Sequence, residues 1–462
     1  TIRGNYVTIN TTGNLTNKAD MSYDMAKDRF YGYQSLISGS NTLNMTADKY
    51  LSQGGNLSGH EISLRAADAS FDTFLLKSDN SEKNMLSHVT TSGAFRLSTT
   101  NSTSFRGIRL NVDSARFNIQ GDFDVEPVYD KVQYQPRSMY RYSGGLSGLV
   151  NVPNTLDIAN LFGLTVAGDA TIIGADITAG SADFNIGGNF TMSGAYDEAS
   201  GQYSPSSLTV REMFTLVTGG DASFKGVDVS AGSARLDIGG NFSFEGVTNT
   251  STQISGGYVP YGWNTETTIK RFDAVAAKFD VAETFSLKTG GDALFKGALV
   301  SAADANFTIG GDFTVAELYS TVQKYVENYS LIGSWRKKRR IVTGTESSSE
   351  STVMSSVFNI SNKLKLAAEG NASFTAAKIN AKDAELTIGG NFSFVEAYNK
   401  TAYSQQKGRN SYSRNTATVA GAALDIENGF TLSANDVLFR GADIKAETAD
   451  LLVAGDFSAL EA

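Results

Sequence analysis

An internal repeat constrains the fold of this chain more than any other feature. A glycine turn at Gly219–Asp221 leads through short alternating segments to a second turn at Gly239–Asn241, and the pair returns at Gly290–Asp292 and Gly310–Asp312. The Asp or Asn of the two turns lies 20 residues apart in each of four copies, namely Asp221 to Asn241, Asp292 to Asp312, Asn371 to Asn391 and Asp436 to Asp456. A chain built this way stacks one unit along an axis, so that each unit contacts mainly its neighbours.

The segments between the turns predict short strands. Ala222–Phe224, Val227–Val229 and Ala234–Ile238 alternate apolar and polar residues at period two. Three such strands in about 20 residues make one coil of a parallel β-helix, in which each coil hydrogen-bonds to the next about 4.8 Å along the axis. The 46 Gly residues, spread throughout, disfavour α-helices. The sequence therefore predicts an all-β protein: a right-handed parallel β-helix, with one repeat domain over residues 1–462.

Each copy also contains extra residues. The second glycine turn recurs in steps of 52 to 79 residues, whereas two coils need only about 40. The excess predicts projecting β-hairpin inserts near 16–42, 126–156, 194–208, 246–270, 317–352 and 396–416. These inserts hold 17 of the 19 Tyr, all five Pro and one of the 27 Phe. Phe can stack in a dry core, whereas the Tyr hydroxyl needs a partner and Pro cannot donate to a central ladder, so Phe marks coils and Tyr marks hairpins.

Composition excludes several function classes. With 39 basic and 48 acidic side chains the net charge is -9, which argues against a general nucleic-acid binder. The sequence contains no run of 18 apolar residues, so it predicts no transmembrane helix. There is no Cys, and only His60 and His88, expected on solvated loops, supply imidazole, so no metal site or cofactor is predicted. The chain starts at Thr1 rather than Met, and we expect a fragment of a longer protein.

The repeats are similar to those of a known family. Gly-Gly-Asp-Ala-Ser-Phe at 219–224, alternating with Gly-Gly-Asn-Phe-Ser-Phe at 239–244, resembles the haemagglutinin repeats of filamentous-haemagglutinin-like exoproteins, over about residues 43–462. That family includes two-partner secretion adhesins and contact-dependent growth-inhibition effectors. The resemblance implies a β-helical rod exported by a Gram-negative bacterium through an outer-membrane transporter and displayed outside the cell or on its surface. It also implies a partner on a host or neighbouring cell: a receptor, a glycan or the outer membrane. It predicts no oligomeric state.

The Asp or Asn after each glycine turn has two interpretations. A stacked row of these residues could bind calcium, or each side chain could bond its own backbone as an Asx turn. Calcium β-rolls repeat Gly-Gly-x-Gly-x-Asp, which these turns do not continue, so the backbone interpretation is favoured. Two pairs of carboxylates, Asp292 with Asp312 and Asp436 with Asp456, are the most attractive for an ion.

The longest insert carries the candidate ligand contacts. Five consecutive cations follow a Trp and three Tyr residues: Tyr319, Tyr325, Tyr329, Trp335, Arg336, Lys337, Lys338, Arg339 and Arg340. Cations beside aromatic rings suit an acidic glycan or an anionic lipid headgroup. The alternative is a solvated charge run on an exposed hairpin, where such a run costs least.

An enzyme is the rival class, because β-helices also carry polysaccharide lyases and hydrolases. Asp176, Asp228 and Asp443 share one repeat register but lie in different copies, and no set of nucleophile, base and orienting residue is evident. The sequence therefore predicts no catalytic residue. It predicts a secreted rod that mediates adhesion or target-cell contact through its hairpins, with a passive spacer of a toxin-delivery exoprotein as the alternative.

Overall fold

The chain forms a parallel β-helix. The computed structural model describes residues 1–24, 29–78, 81–133, 147–197, 201–257, 263–334 and 337–462, and within these ranges there are strands but no helices. Strands of successive coils pair in parallel, so two long sheets run the length of the rod. The predicted all-β fold is confirmed, and the right-handed sense remains a prediction.

Two sheets make up the coils, and antiparallel hairpins branch from them. The long sheet consists of Ile2–Asn10, Leu36–Thr46, Asn56–Ala66, Ser87–Thr91, Ala94–Thr99, Ile108–Val112, Ser114–Ile119, Asn154–Val166, Ala175–Ile186, Ser206–Thr218, Val227–Ile238, Ala277–Val281, Thr284–Thr289, Ala298–Ala302, Asp304–Ile309, Val357–Ala368, Lys378–Ile388, Ala422–Ile426, Gly429–Ala434, Ala442–Lys445 and Thr448–Val453. The short sheet has one strand per coil: Asn14–Lys18, Lys49–Gln53, Asp68–Asp72, Thr103–Arg106, Phe123–Glu126, Ala170–Ile173, Phe190–Ser193, Ala222–Lys225, Phe242–Glu245, Ala293–Lys296, Phe313–Ala316, Ala372–Thr375, Phe392–Val395, Val437–Arg440 and Phe457–Leu460.

Seven hairpins are numbered here in chain order. Hairpin 1 is Asp20–Asp24 with Arg29–Tyr33, hairpin 2 is Phe74–Ser78 with Ser81–Met85, hairpin 3 is Val128–Gln133 with Ser147–Val152, hairpin 4 is Ala195–Asp197 with Gln202–Ser204, hairpin 5 is Val247–Gly257 with Trp263–Val275, hairpin 6 is Leu318–Ser334 with Lys337–Met354, and hairpin 7 is Ala397–Lys407 with Asn410–Ala420.

One coil shows how the repeat folds. Val227–Ile238 spans two faces of the rod, and Phe242–Glu245 forms the third after the turn at 239–241. The long strand bends at Gly232, where a Cβ would lie 2.6 Å from the Glu212 carbonyl of the previous coil, and the pairing register shifts at the same place. The bend divides the strand in two, so each coil has the three short segments that the alternation predicts.

A row of phenylalanine rings fills the core of the short sheet. Phe224, Phe242, Phe295, Phe313, Phe374 and Phe392 are each at most 2 % exposed, as their repeat positions predict. The inward residue that begins these short-sheet strands alternates between Ala and Phe along the rod. Ala222 pairs with Phe242, Phe242 pairs with Ala293, and Ala293 pairs with Phe313. Coils are only about 4.8 Å apart, so alternating large and small side chains lets the rings interdigitate at close packing. The core therefore repeats every two coils.

The hairpins follow the same two-coil period. Each leaves the rod after a short-sheet strand and returns before the next long-sheet strand, on every second coil from the first (14–18) to the thirteenth (392–395). A hairpin contributes two strands, each about 4.8 Å wide, and two coils advance about twice that distance along the rod. Hairpins on alternate coils can therefore pair side by side without strain. Hairpins 5, 6 and 7 do so in one six-stranded antiparallel sheet, and hairpins 2 and 3 form a four-stranded one.

The hairpins differ from the predicted inserts in number and in bounds. Hairpin 2 was not predicted, because it contains neither Tyr nor Pro. The predicted insert 16–42 includes coil strands at both ends, since Asn14–Lys18 and Leu36–Thr46 pair within the rod, and hairpin 1 covers only 20–33. Hairpins 5 and 7 extend to 275 and 420, beyond the predicted ends at 270 and 416.

Corners with and without hairpins need different residues. Where no hairpin leaves, the chain turns at a residue with positive φ, which is Ala376 at one corner and a glycine such as Gly226 at the others. The φ of Gly226 is 60°, which favours glycine, and a Cβ there would lie 2.8 Å from Val247. Where hairpins 2, 3, 4 and 6 return, a buried polar side chain closes the gap: Ser87, Asn154, Ser206 or Ser356. The Ser206 hydroxyl, after hairpin 4, accepts from the Ala175 N–H at 3.1 Å and donates to the Ser193 carbonyl at 2.6 Å. The Ser356 hydroxyl, after hairpin 6, makes the equivalent bonds to Ala298 and Ala316.

Candidate contact surface

The sheet of hairpins 5 to 7 exposes side chains on both faces. Most residues of its strands are exposed or half-buried, including Tyr325, Tyr412 and Ile254, which are 42 %, 56 % and 67 % exposed. Among the described residues, those at the base, such as Val247 and Ala397, are buried, and so is Asn264 near the tip of hairpin 5. A sheet with no core on either face is held by pairing between strands and by its attachment to the rod. Its side chains are therefore available to a partner.

A polar side chain near the base of a hairpin bridges to the hairpin before it. Between hairpins 6 and 7 the backbone pairing reaches Ser351 and Lys400, and closer to the rod the Asn399 side chain accepts from the Val353 N–H at 2.8 Å. Three other hairpins use the third residue of their first strand in the same way: Asp130 accepts from the Asn84 N–H, Asn249 from the Tyr203 N–H and Ser320 from the Ala274 N–H, at 2.7 to 3.0 Å. These bonds satisfy backbone groups where neighbouring strands splay apart.

The bridging residue belongs to an opening motif that composition did not reveal. Hairpins 3, 4, 6 and 7 open with an apolar residue, then Tyr, then a polar residue: Val128-Tyr129-Asp130, Ala195-Tyr196-Asp197, Leu318-Tyr319-Ser320 and Ala397-Tyr398-Asn399. Val128, Ala195 and Ala397 are buried against the rod. A search for this triplet just after a short-sheet strand would have located these four hairpin starts from the sequence.

The three predicted Tyr contacts lie on one strand of hairpin 6. Tyr319, Tyr325 and Tyr329 are separated by even numbers of residues, which puts them on the same face of the sheet. The Tyr319 hydroxyl donates to Glu317 at 3.0 Å, and burial together with that carboxylate raises the pKa of Tyr319 to about 12. Burial and the nearby Glu327 likewise raise the pKa of Tyr325. Both phenols are therefore neutral hydrogen-bonding groups at neutral pH.

The structure separates the members of the predicted basic run. Trp335 and Arg336 lie outside the described residues, and Lys337 and Lys338 begin the second strand of hairpin 6. Arg339 is exposed. Arg340 forms ion pairs with Glu327 and, at 3.3 Å, with Glu266 of hairpin 5, and its guanidinium lies 3.9 Å from the centre of the Tyr329 ring. Arg340 thus joins two hairpins, and these acidic partners were not apparent in the sequence because they depend on strand register.

The Asp and Asn residues of the glycine turns form an unbroken ladder. The Oδ1 of each accepts the backbone N–H of its counterpart in the next coil, as when Asp221 accepts from Asn241 at 2.7 Å and Asn241 accepts from Asp292 at 2.8 Å. Such bonds run from Asp122 to Asp456. The expectation that each side chain bonds its own backbone is wrong: it bonds the backbone of the following coil. In the described ranges no three His, Cys, Asp or Glu side chains are grouped so that they could hold a metal ion.

The carboxylates considered for catalysis have separate partners. Asp176 accepts from Ser207 at 2.8 Å, Asp228 lies 3.6 Å from the Lys278 ammonium, and Asp443 pairs with Lys445 at 2.8 Å. His60 and His88 lie on strands of the coils, not on loops. Within the described residues no helix is long and apolar enough to span a membrane.

One buried ion pair links a hairpin to the rod. Glu396 precedes hairpin 7, and its fully buried carboxylate accepts the Arg440 Nε at 3.0 Å and the Tyr398 hydroxyl. Burial alone would raise the pKa of Glu396, but the bonds from Tyr398 and Arg440 outweigh it and lower that pKa. The carboxylate is therefore ionised at neutral pH and fixes the start of hairpin 7.

These features define a class of protein: a β-helical rod in which hydrogen-bond ladders join every coil to the next, the core repeats every two coils, and hairpins project from alternate coils. The hemagglutinin repeat family model matches residues 147–205, 192–258, 255–329, 341–410 and 394–460, which cover well over half of the chain. The chain belongs to the hemagglutinin repeat family, whose members are secreted surface adhesins related to filamentous haemagglutinin. The match at 394–460 contains hairpin 7 and the two coils after it, so one family repeat corresponds to one period of the rod. No curated protein and no solved structure matches the chain.

Proposed function

We propose that this protein is a cell-surface rod that mediates adhesion or target-cell contact through its hairpin sheets. The observation that carries the proposal is the division between a dry, phenylalanine-filled rod and hairpin sheets that expose Tyr residues on a coreless surface. Tyr offers a large amphipathic contact area at low entropic cost, which suits recognition of a receptor, a glycan or the outer membrane of a host or neighbouring cell. Export through an outer-membrane transporter is part of the proposal and is supported by the family.

Charge on hairpin 6 strengthens this contact in our proposal. Arg340 is already neutralised by Glu327 and Glu266, so it positions the strands and Tyr329 rather than meeting a ligand. The attraction comes from Arg336, Lys337, Lys338 and Arg339 acting on an acidic surface. Exposed charges act over a Debye length of about 10 Å at 0.1 M salt, so this attraction weakens as salt rises.

A passive spacer is the second candidate, because regular coils set reach whatever the hairpins do. A spacer tolerates loss of hairpin 6 without loss of cell binding, whereas a contact surface does not. A lyase or hydrolase has no support from the arrangement of Asp176, Asp228 and Asp443, and nucleic acid is not among the proposed partners.

The test measures binding of the protein to whole target cells at low and high salt. Replacing Arg336, Lys337, Lys338 and Arg339 by Ser should weaken binding more at low salt than at high salt. The Tyr325→Ser variant should weaken binding by a similar factor at both salts, because its contact area does not depend on charge.

A matched control changes the same number of cations on the coils, with Arg235, Lys278, Lys288 and Lys365 replaced by Ser, and should bind as the parent does. A further variant joins residue 316 to residue 353 by a short turn, removing residues 317–352. Undiminished binding by this deletion and by both hairpin variants would establish the spacer and exclude the contact surface.

A further inference from the structure

Hairpin 4 is much shorter than the hairpins on either side of it. It covers residues 195–204, whereas hairpin 3 covers 128–152 and hairpin 5 covers 247–275. The three are neighbours: the Tyr129 hydroxyl of hairpin 3 donates to the Tyr196 carbonyl of hairpin 4, and the Thr250 N–H of hairpin 5 donates to the Gly201 carbonyl. Among the described residues, a slot two strands wide therefore remains beyond hairpin 4, between hairpins 3 and 5.

One wall of this slot is an open strand edge. The Thr250 N–H and carbonyl both face hairpin 4, since they bond Gly201 and the Gln202 side chain. The pairing of 247–257 with 265–275 has no register shift, so the N–H and carbonyl groups of Thr252, Ile254 and Gly256 face the slot as well. In the described part of the chain no strand pairs with this edge beyond Thr250.

The equivalent edges of hairpins 6 and 7 are occupied. Residues 321–330 of hairpin 6 pair with the return strand of hairpin 5, and residues 400–407 of hairpin 7 pair with the return strand of hairpin 6, both antiparallel. The fold thus shows what this edge accepts: an antiparallel strand running towards the rod. At residues 251–257 hairpin 4 is too short to supply one.

This edge also lacks the usual protection against added strands. Exposed sheet edges commonly carry a charge or a proline that discourages pairing. Two other outer strands of the hairpin sheets do so, with Lys77 in hairpin 2 and Arg414 in hairpin 7. Residues 251–257, Ser-Thr-Gln-Ile-Ser-Gly-Gly, contain neither, and neither does the facing strand Ser147–Val152.

We propose that the slot binds an extended segment of another polypeptide that carries little net charge. This segment adds as an antiparallel strand to residues 251–257. Backbone bonds supply the affinity, as in other cases of strand addition. A second copy of this chain does not fit as well, because its own copy of the edge lies between its own hairpins 3 and 5. The inference is independent of the cell-contact proposal, which concerns side chains on hairpin 6.

The probe is a labelled peptide copying residues 263–273, Trp-Asn-Thr-Glu-Thr-Thr-Ile-Lys-Arg-Phe-Asp, a return strand that pairs in this way within the fold. Binding to the full chain is measured by fluorescence anisotropy. The Ile254→Pro variant removes a slot-facing N–H without touching the bonds to 265–275, and proline is tolerated at such edge positions. Loss of the hydrogen bond from this N–H, together with disturbance of the neighbouring backbone bond to the peptide, should weaken peptide binding about tenfold or more.

The matched control is Ile254→Ser, which keeps the N–H and should bind within about threefold of the parent, since its exposed side chain contributes little. Thr252→Pro repeats the backbone test, and circular dichroism checks that each variant is folded. Failure of the parent to bind the peptide, or equal binding by both proline variants, would overturn the inference. So would self-association of the parent that Ile254→Pro abolishes, because the occupant would then be a second copy.

Discussion

The coils and the hairpins of this rod solve the same problem of β-sheet stability in opposite ways. A coil buries one face of every strand, and Phe242, 1 % exposed, has ring centres of Phe224 and Phe295 at 6.0 and 5.4 Å. A hairpin of the six-stranded sheet buries almost nothing beyond its base and depends on its neighbours, through strand pairing and side chains such as Asn399. The coils are therefore constrained at almost every inward position, whereas the hairpins are free to vary.

The shared period shows how the two regions remain compatible. Hairpins on every coil would need twice the axial space that the rod provides, and hairpins on every third coil would leave gaps. With hairpins on alternate coils, the two strands of each hairpin take up the same axial distance as two coils. The alternation of Ala and Phe in the core has the same two-coil period. Hairpins of different length and sequence can thus be attached to a regular rod without disturbing its ladders.

The largest expected effect tests the claim that stability lies in the coils. Phe242→Ala should lower the free energy of unfolding by about 3 to 5 kcal/mol, because it leaves a cavity in a row of packed rings. Chemical denaturation followed by circular dichroism measures the loss. Tyr412→Ala, on the exposed face of hairpin 7, is the matched aromatic substitution and should change stability by less than about 0.5 kcal/mol. Comparable losses of unfolding free energy in the two variants would refute the claim that stability lies in the coils and not in the hairpins.

The sequence predicted the coils better than the hairpins for a physical reason. The coil positions are fixed by burial at period two and by glycine turns, both of which are local patterns, so Phe224 and Asn241 could be assigned directly. Hairpin positions depend on pairing between strands some 50 to 70 residues apart, as between Glu266 and Glu327. No local pattern encodes that register.

The candidate site was predictable only in outline. The even spacing of Tyr319, Tyr325 and Tyr329 predicts a common face once the strand is known, but the neutralisation of Arg340 is not visible in the basic run. The short hairpin 4 was visible as the smallest insert. Its consequence, an open edge on hairpin 5, required the topology.

A smaller effect separates two kinds of coil glycine. A Cβ at Gly240 would lie 2.2 Å from the Asp221 Oδ1, so Gly240→Ala should displace a ladder side chain and cost about 1 to 3 kcal/mol. At Gly163 the nearest atom would be the Arg116 Cγ at 3.7 Å, and Gly163→Ala should be neutral or stabilise by up to about 1 kcal/mol. Thermal unfolding of both variants makes the comparison. Equal destabilisation would mean that glycine is required along the whole coil and not specifically at the ladder.

The smallest effect concerns the junction where the two regions meet, and it appears only at acid pH. Because the pKa of Glu396 is lowered in the folded protein, its contribution to stability is fully present above the usual carboxyl pKa of about 4.3 and is lost as the pH falls through the lowered value. The difference in unfolding free energy between the parent and Glu396→Gln should therefore shrink as the pH falls below about 4.3 and through the lowered pKa. Glu385, an exposed coil carboxylate paired with Lys363 and Lys365, is the control, and Glu385→Gln should show a weaker pH dependence because solvent screens that pair. Urea titrations at several pH values would measure both. A difference for Glu396→Gln that stays constant at every acid pH where the protein remains folded would mean that its carboxylate does not help to anchor hairpin 7 to the rod.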